Sequence, residues 1–172
     1  DSPIDYKQIN PSDFPEFSVN EKTIIQPDSE GYILESLLAK IDLNEKNTVV
    51  VNAAVGQGKT TAILEIVKKI YDTTDYLIFI ASPFVSLVEQ YYNKTVGLGI
   101  PEDDIYRYEW IGKNRNRDAW DSRIQIVTAN CLLGNPGNDS IVSAVDKRKY
   151  INYLSNKCNQ NNRKVVFIYD EI

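Results

Sequence analysis

The residues best suited to chemistry lie between Thr48 and Thr61. The run Thr48-Val49-Val50-Val51-Asn52-Ala53 leads into Ala54-Val55-Gly56-Gln57-Gly58-Lys59-Thr60-Thr61. A β-branched apolar stretch thus enters a glycine loop that closes on Lys-Thr and opens an amphipathic helix, the order a phosphate cradle needs. Gly56 and Gly58 let the backbone turn tightly, so that successive N–H groups from Ala54 to Thr61 approach phosphate oxygens. Lys59 is placed to reach the β- and γ-phosphates and Thr60 to ligate Mg²⁺, while the positive end of the following helix adds a favourable field. The bland alternative, a glycine turn with a surface lysine, leaves unexplained why an apolar strand ends there.

A second group of chemical residues follows another apolar run. Val165-Val166-Phe167-Ile168-Tyr169 reads as a strand, and Asp170-Glu171 comes directly after it. In open α/β sheets ligands bind beyond the carboxyl ends of strands. A carboxylate there can hold Mg²⁺ and its neighbour can orient an attacking water. Asp170 is assigned the metal role and Glu171 the general base, against the alternative of an acidic turn capping the strand.

The intervening sequence must supply the elements that position these groups. Residues 1–28 form a polar lead-in punctuated by Pro3, Pro11, Pro15 and Pro27. Asp28 or Ser29 is the expected cap of a helix running to about Ile41, and Thr48–Ala53 is expected to be a strand. After the glycine loop, a helix carries Ile63, Ile66, Val67 and Ile70 inward. Tyr76–Ser82, Ile105–Trp110 and Ile124–Thr128 read as strands. Phe84 to about Asn93, the short Ala129–Leu133 stretch, and Ile141 to about Leu154 read as helical, with Asn156–Asn162 a polar connection. Strands alternate with helices, so the fold class is α/β with a mainly parallel sheet.

Bulk properties narrow the functions. The 172 residues carry a net charge of −5, so no global basic field marks a dedicated DNA-binding module. Histidine is absent, which removes His triads and His metal sites. Cys131 and Cys158 lack metal-ligand spacing; free thiols in a reducing, cytoplasmic setting are favoured over a disulfide. No apolar run approaches membrane-span length.

Four segments then occur in order: Ala53–Thr60, Ala81-Ser82-Pro83-Phe84-Val85-Ser86-Leu87-Val88-Glu89-Gln90, Ile126-Val127-Thr128-Ala129-Asn130-Cys131-Leu132-Leu133, and Asp170-Glu171-Ile172. Together they resemble motifs I, Ia, Ib and II of the first RecA-like domain of superfamily 2 helicases, the DEAD/DEAH-box type of nucleic-acid-dependent ATPase. Alanine commonly replaces the first glycine of motif I, as Ala53 does here. Pro83, Leu87 and Gln90 keep the register of motif Ia, and Thr128, Leu132 and Leu133 that of motif Ib. Val85 and Cys131 stand where the family often has arginine, which marks a divergent member nearer to restriction-enzyme or repair-type translocases.

The resemblance implies a three-layer α/β/α P-loop fold, with residues 29–172 as an N-terminal RecA-like domain cut just after motif II. It implies ATP and Mg²⁺ as cofactors, ATP hydrolysis as the activity, and nucleic acid as the partner. Ser82, Pro83, Thr128 and Asn130 would contact the nucleic-acid backbone, with Ser82 as a cap of the helix after Pro83 and Thr128 as an ordinary strand residue as the alternatives. Gln26 would be the adenine-reading glutamine, with a solvated loop amide as the alternative. A second RecA-like domain would bring an arginine finger, so the chain, which begins at Asp1 and has no methionine, is expected to be a fragment that hydrolyses little ATP alone. A packaging motor or an AAA+-type remodeller is the competing reading. Lys113, Arg115 and Arg117, flanked by Trp110 and Trp120, form a basic loop that either meets phosphates or is simply solvated.

Overall fold

Every residue from Leu77 to Ser82 is buried, because this strand has neighbours on both edges and layers on both faces. It is β1 of a computed structural model that describes residues 23–41, 48–112, 118–133 and 141–170. In chain order the elements are α1 (Leu34–Lys40), α2 (Lys59–Thr73), β1 (Leu77–Ser82), α3 (Val85–Gly97), β2 (Ile105–Arg107), β3 (Ile124–Thr128), α4 (Ala129–Leu133), α5 (Ile141–Asn161) and β4 (Val165–Tyr169). The four strands pair in the order β2-β3-β1-β4, all parallel. Parallel neighbours need crossover connections, and the helices between strands supply them.

Alternation along β1 divides the core. Ile78 and Ile80 join Val67, Ile70, Val88, Tyr91, Ile124 and Ile126 in a cluster beneath α1, α2 and α3. Leu77, Phe79 and Ala81 point the other way, against Cys131, Tyr150, Leu154 and Cys158 of α4 and α5. The result is the expected three-layer α/β/α arrangement. Both cysteines are buried free thiols on the α4/α5 side.

Four local expectations are revised. The first helix begins at Leu34 because Asp28 closes a turn of its own. Its Oδ1 accepts from Glu30 N at 2.9 Å and Tyr32 N at 2.8 Å, and Gly31 takes φ +87°. Residues 48–54 are not a strand of the sheet. Both edges of β1 are already taken by β3 and β4, so only an outer sheet edge could pair with this segment. Val51 and Ala53 still pack on the core, while Val50 stands 88% exposed. Ile105–Trp110 keeps only Ile105–Arg107 as strand, and Tyr108–Trp110 turns into a 3₁₀ helix.

The fourth revision is the polar connection at Asn156–Asn162, which is mostly helix. Tyr150, Leu154 and Cys158 recur every four residues and bury one stripe of α5 against the sheet, and this burial carries the helix through the amides. The helix ends where Asn162 adopts φ +50°; Arg163 N then donates to Cys158 O at 2.9 Å and Asn162 N to Asn159 O at 3.4 Å. This is the paired six-to-one and five-to-two closure of a Schellman motif, with asparagine in the place usually held by glycine.

Gln125, fully buried in β3, joins the layers. Its Nε2 donates to Ala119 O at 2.8 Å and Ser122 O at 2.7 Å, and its Oε1 accepts from Tyr150 OH at 2.8 Å. Burial pushes the Tyr150 phenol well above its ordinary pKa, which keeps it a neutral donor. Gln125→Leu removes the amide and the three buried hydrogen bonds it makes. It should lower stability by about 2–4 kcal/mol in chemical denaturation.

Candidate nucleotide site

The glycine loop is shaped by two left-handed glycines and closed by its own side chains. Gly56 takes φ +85° and Gly58 φ +75°, and Gly58 serves as the N-cap of α2. Gln57 Oε1 accepts from Ala54 N at 2.7 Å. The Lys59 ammonium donates to Ala53 O at 2.8 Å and Ala54 O at 3.4 Å. Lys59 and Thr60 occupy the first turn of α2 and are half-buried, whereas Thr61 is exposed. Val55, at the loop tip, is 98% exposed.

The residues just before α1 brace this loop. Ile33 N donates to Gln57 O at 3.2 Å, and a Cβ placed on Gly58 would lie 3.0 Å from Cδ1 of Tyr32. Tyr32 is thus a neighbour of the loop that the sequence reading missed. Gln26 is exposed, and its backbone N donates to Ser36 Oγ at 3.3 Å. The contacts that brace the loop come from Ile33 and Tyr32.

The second group lies along the carboxyl edge of the sheet. Ser82 is registered with Thr128, and Asp170 N donates to Ala81 O at 3.0 Å, which continues the β1–β4 pairing. Ser82, Thr128 and Asp170 therefore end three adjacent strands. By strand alternation they share the face of Ile80, Ile126 and Ile168, the face covered by α2 and α3. All three are buried: Ser82 1%, Thr128 8% and Asp170 8% exposed. Ser82 Oγ donates to Phe84 O at 3.2 Å, tightening the turn into α3. Pro83 is half-buried and Asn130 exposed.

Asp170 has a partner that sequence reading also missed. Tyr91 OH, from α3, donates to Asp170 Oδ2 at 2.6 Å across 79 residues of chain. Burial raises the pKa of the adjacent Tyr169 phenol. Asp170 supplies a carboxylate and Thr60 a hydroxyl, the kinds of oxygen group that a hard divalent ion such as Mg²⁺ takes. Among the described residues no group of three or more Cys, Asp or Glu gathers into a metal cluster. Glu171 and the basic residues Lys113, Arg115 and Arg117 lie outside the described residues. Trp110 packs edge-on to Tyr106 at 5.4 Å, and Trp120 lies beneath Arg163 at 4.9 Å.

A parallel sheet, a glycine loop at the start of α2 and a carboxylate at the end of β4 define a helicase-like, ATP-binding α/β motor domain. The particular family follows from comparison. Residues 26–172 match the family described as type III restriction enzyme, res subunit, and the chain belongs to it. No curated protein and no solved structure matches the chain. The family match agrees with the expected restriction-enzyme kind of motor. No described helix is long and apolar enough to cross a membrane.

Gly58→Ala tests the loop geometry directly. A side chain at φ +75° costs about 1–2 kcal/mol, and its Cβ also meets Tyr32. Thermal denaturation should show the loss. Adding Tyr32→Ala should recover little, because the backbone strain remains.

Proposed function

We propose that the chain is the ATP-hydrolysing half-motor of a nucleic-acid-dependent translocase that uses Mg²⁺. The observation that carries this reading is the buried Asp170, fixed at the carboxyl end of β4 beside β1, in a fold whose glycine loop opens α2. In this reading the N–H groups of Ala54–Thr61 cradle the phosphates. Lys59 exchanges the carbonyls of Ala53 and Ala54 for β- and γ-phosphate oxygens. Thr60 and Asp170 hold the Mg²⁺, directly or through water, and the ion supplies positive charge to the β- and γ-oxygens when bound. Glu171 orients the attacking water and takes its proton. Gln26 reads the adenine.

The nucleic-acid backbone runs along the turns that follow β1 and β3. With Ser82 and Thr128 buried, Pro83, Asn130 and backbone N–H groups supply the outer contacts, and Ser82 and Thr128 hold the turns in shape. A second RecA-like domain supplies the arginine finger, so the chain by itself binds Mg·ATP weakly and turns over slowly.

The test is ATPase activity of the full-length protein with single-stranded DNA, duplex DNA or RNA. Stimulation by one of them is expected and names the track. Activity indifferent to all three overturns the translocase reading. Glu171→Gln should lower turnover about 10²–10⁴-fold while keeping nucleotide affinity. Lys59→Ala should weaken binding of a fluorescent ATP analogue about tenfold or more, the effect of losing one charge-assisted contact of about 1.5–3 kcal/mol.

A further inference from the structure

The hydrogen bond from Tyr91 to Asp170 joins two parts of the molecule to which the proposed function gives different tasks. Tyr91 lies on the buried stripe of α3, with Val88 and Thr95, and is 1% exposed. The helix starts immediately after the Ser82-Pro83-Phe84 turn, the segment assigned to the nucleic-acid track. Asp170 lies on β4, on the face that α3 covers. Its backbone is bound to the end of β1 through Ala81 O, and one of its carboxylate oxygens is bound to α3 through Tyr91 OH at 2.6 Å. Both anchors therefore belong to one continuous strand–turn–helix unit, residues 77–97.

Simple packing does not require this phenol. Phenylalanine would fill the same volume in the cluster of Ile80, Val88 and Ile126, and the hydroxyl is tolerated there because it meets a carboxylate. A buried charge-assisted bond of this length restricts the carboxylate to one orientation and uses Oδ2, which leaves the other oxygen for a water or a cation. It is also the contact most directly altered when α3 shifts against the sheet, since Ala81 O holds only the Asp170 backbone.

We propose that Tyr91 is a positioning residue for Asp170 that links the Ser82–Phe84 turn to the cation site. This inference rests on the proposed function for the identity of the two ligands. With α3 seated, Tyr91 holds the Asp170 carboxylate in its ligating orientation. Nucleic acid bound at the turn displaces or fixes α3, and the hydrogen bond carries that change to the carboxylate. Coupling of this kind is reciprocal, so the cation–nucleotide complex must alter nucleic-acid affinity by the same factor.

The experiment measures binding, not turnover. Mn²⁺ is titrated into the full-length protein with a non-hydrolysable ATP analogue, and free Mn²⁺ is followed by electron paramagnetic resonance, with and without the nucleic acid that stimulates the ATPase. In the parent protein the nucleic acid should change Mn²⁺ affinity about fivefold or more, the usual lower end of allosteric coupling. Tyr91→Phe should weaken Mn²⁺ binding several-fold and bring the nucleic-acid effect close to none, with the thermal transition still cooperative. Thr95→Val is the packing control. It alters the same buried stripe, where Oγ1 has no hydrogen-bond partner, and should change neither quantity.

Equal Mn²⁺ affinity and equal coupling in Tyr91→Phe and parent overturn the positioning role and leave the proposed function standing. Equal losses in Tyr91→Phe and Thr95→Val also overturn it, because they show a general effect of α3 packing. Failure of the parent to bind Mn²⁺ with the nucleotide analogue overturns this inference together with the proposed function.

Discussion

The structure depends on the enclosure of β1. Its six residues are buried, its two edges are paired in parallel with β3 and β4, and its two faces carry the two halves of the core. Burying one large aliphatic side chain contributes about 1.5–3 kcal/mol, and Leu77, Ile78 and Ile80 are each fully enclosed. The candidate site is built around this strand. The turn into α3 emerges from its end, Thr128 is registered with its last residue, and Asp170 hydrogen-bonds its penultimate carbonyl. A rigid, central strand is thus what brings residues distant in sequence to one edge of the sheet.

Buried polar groups divide into two kinds around that strand. Gln125 has both ends of its amide engaged, by Ala119, Ser122 and Tyr150, and it serves to fix one arrangement of β3, α5 and the connecting turn. Asp170 is different. Its carboxylate is nearly as enclosed, but it stands where the strand ends, with a single phenol directed at Oδ2. A fully satisfied network rigidifies, whereas a buried carboxylate with remaining acceptor capacity is suited to hold a cation.

The glycine loop is kept folded by its own groups. Lys59 is paid for its position by two backbone carbonyls, and Gln57 caps the Ala54 amide. These contacts tie a cation and a backbone N–H to the loop itself. The left-handed glycines shape the turn, and the helix begins at the second of them.

Much of this was legible in the amino-acid order. The α/β class, the glycine loop at the start of α2, and the apolar strand ending in Asp170 all follow from local patterns, because turn geometry and periodicity are set by neighbouring residues. The inward face of α2 was legible for the same reason. What only the tertiary structure decided involves partners far apart in the chain. Thr48–Ala53 has strand composition but pairs with none of the four strands, of which only β2 and β4 have an outer edge. The amides of Asn156–Asn161 are helical because Leu154 and Cys158 bury against the sheet. Ser82 and Thr128 are enclosed, which their residue types alone did not decide. The bond from Tyr91 to Asp170 spans 79 residues and depends on α3 and β4 meeting across the face of β1. Local order specifies which groups can do chemistry, and packing around the central strand determines which of them meet.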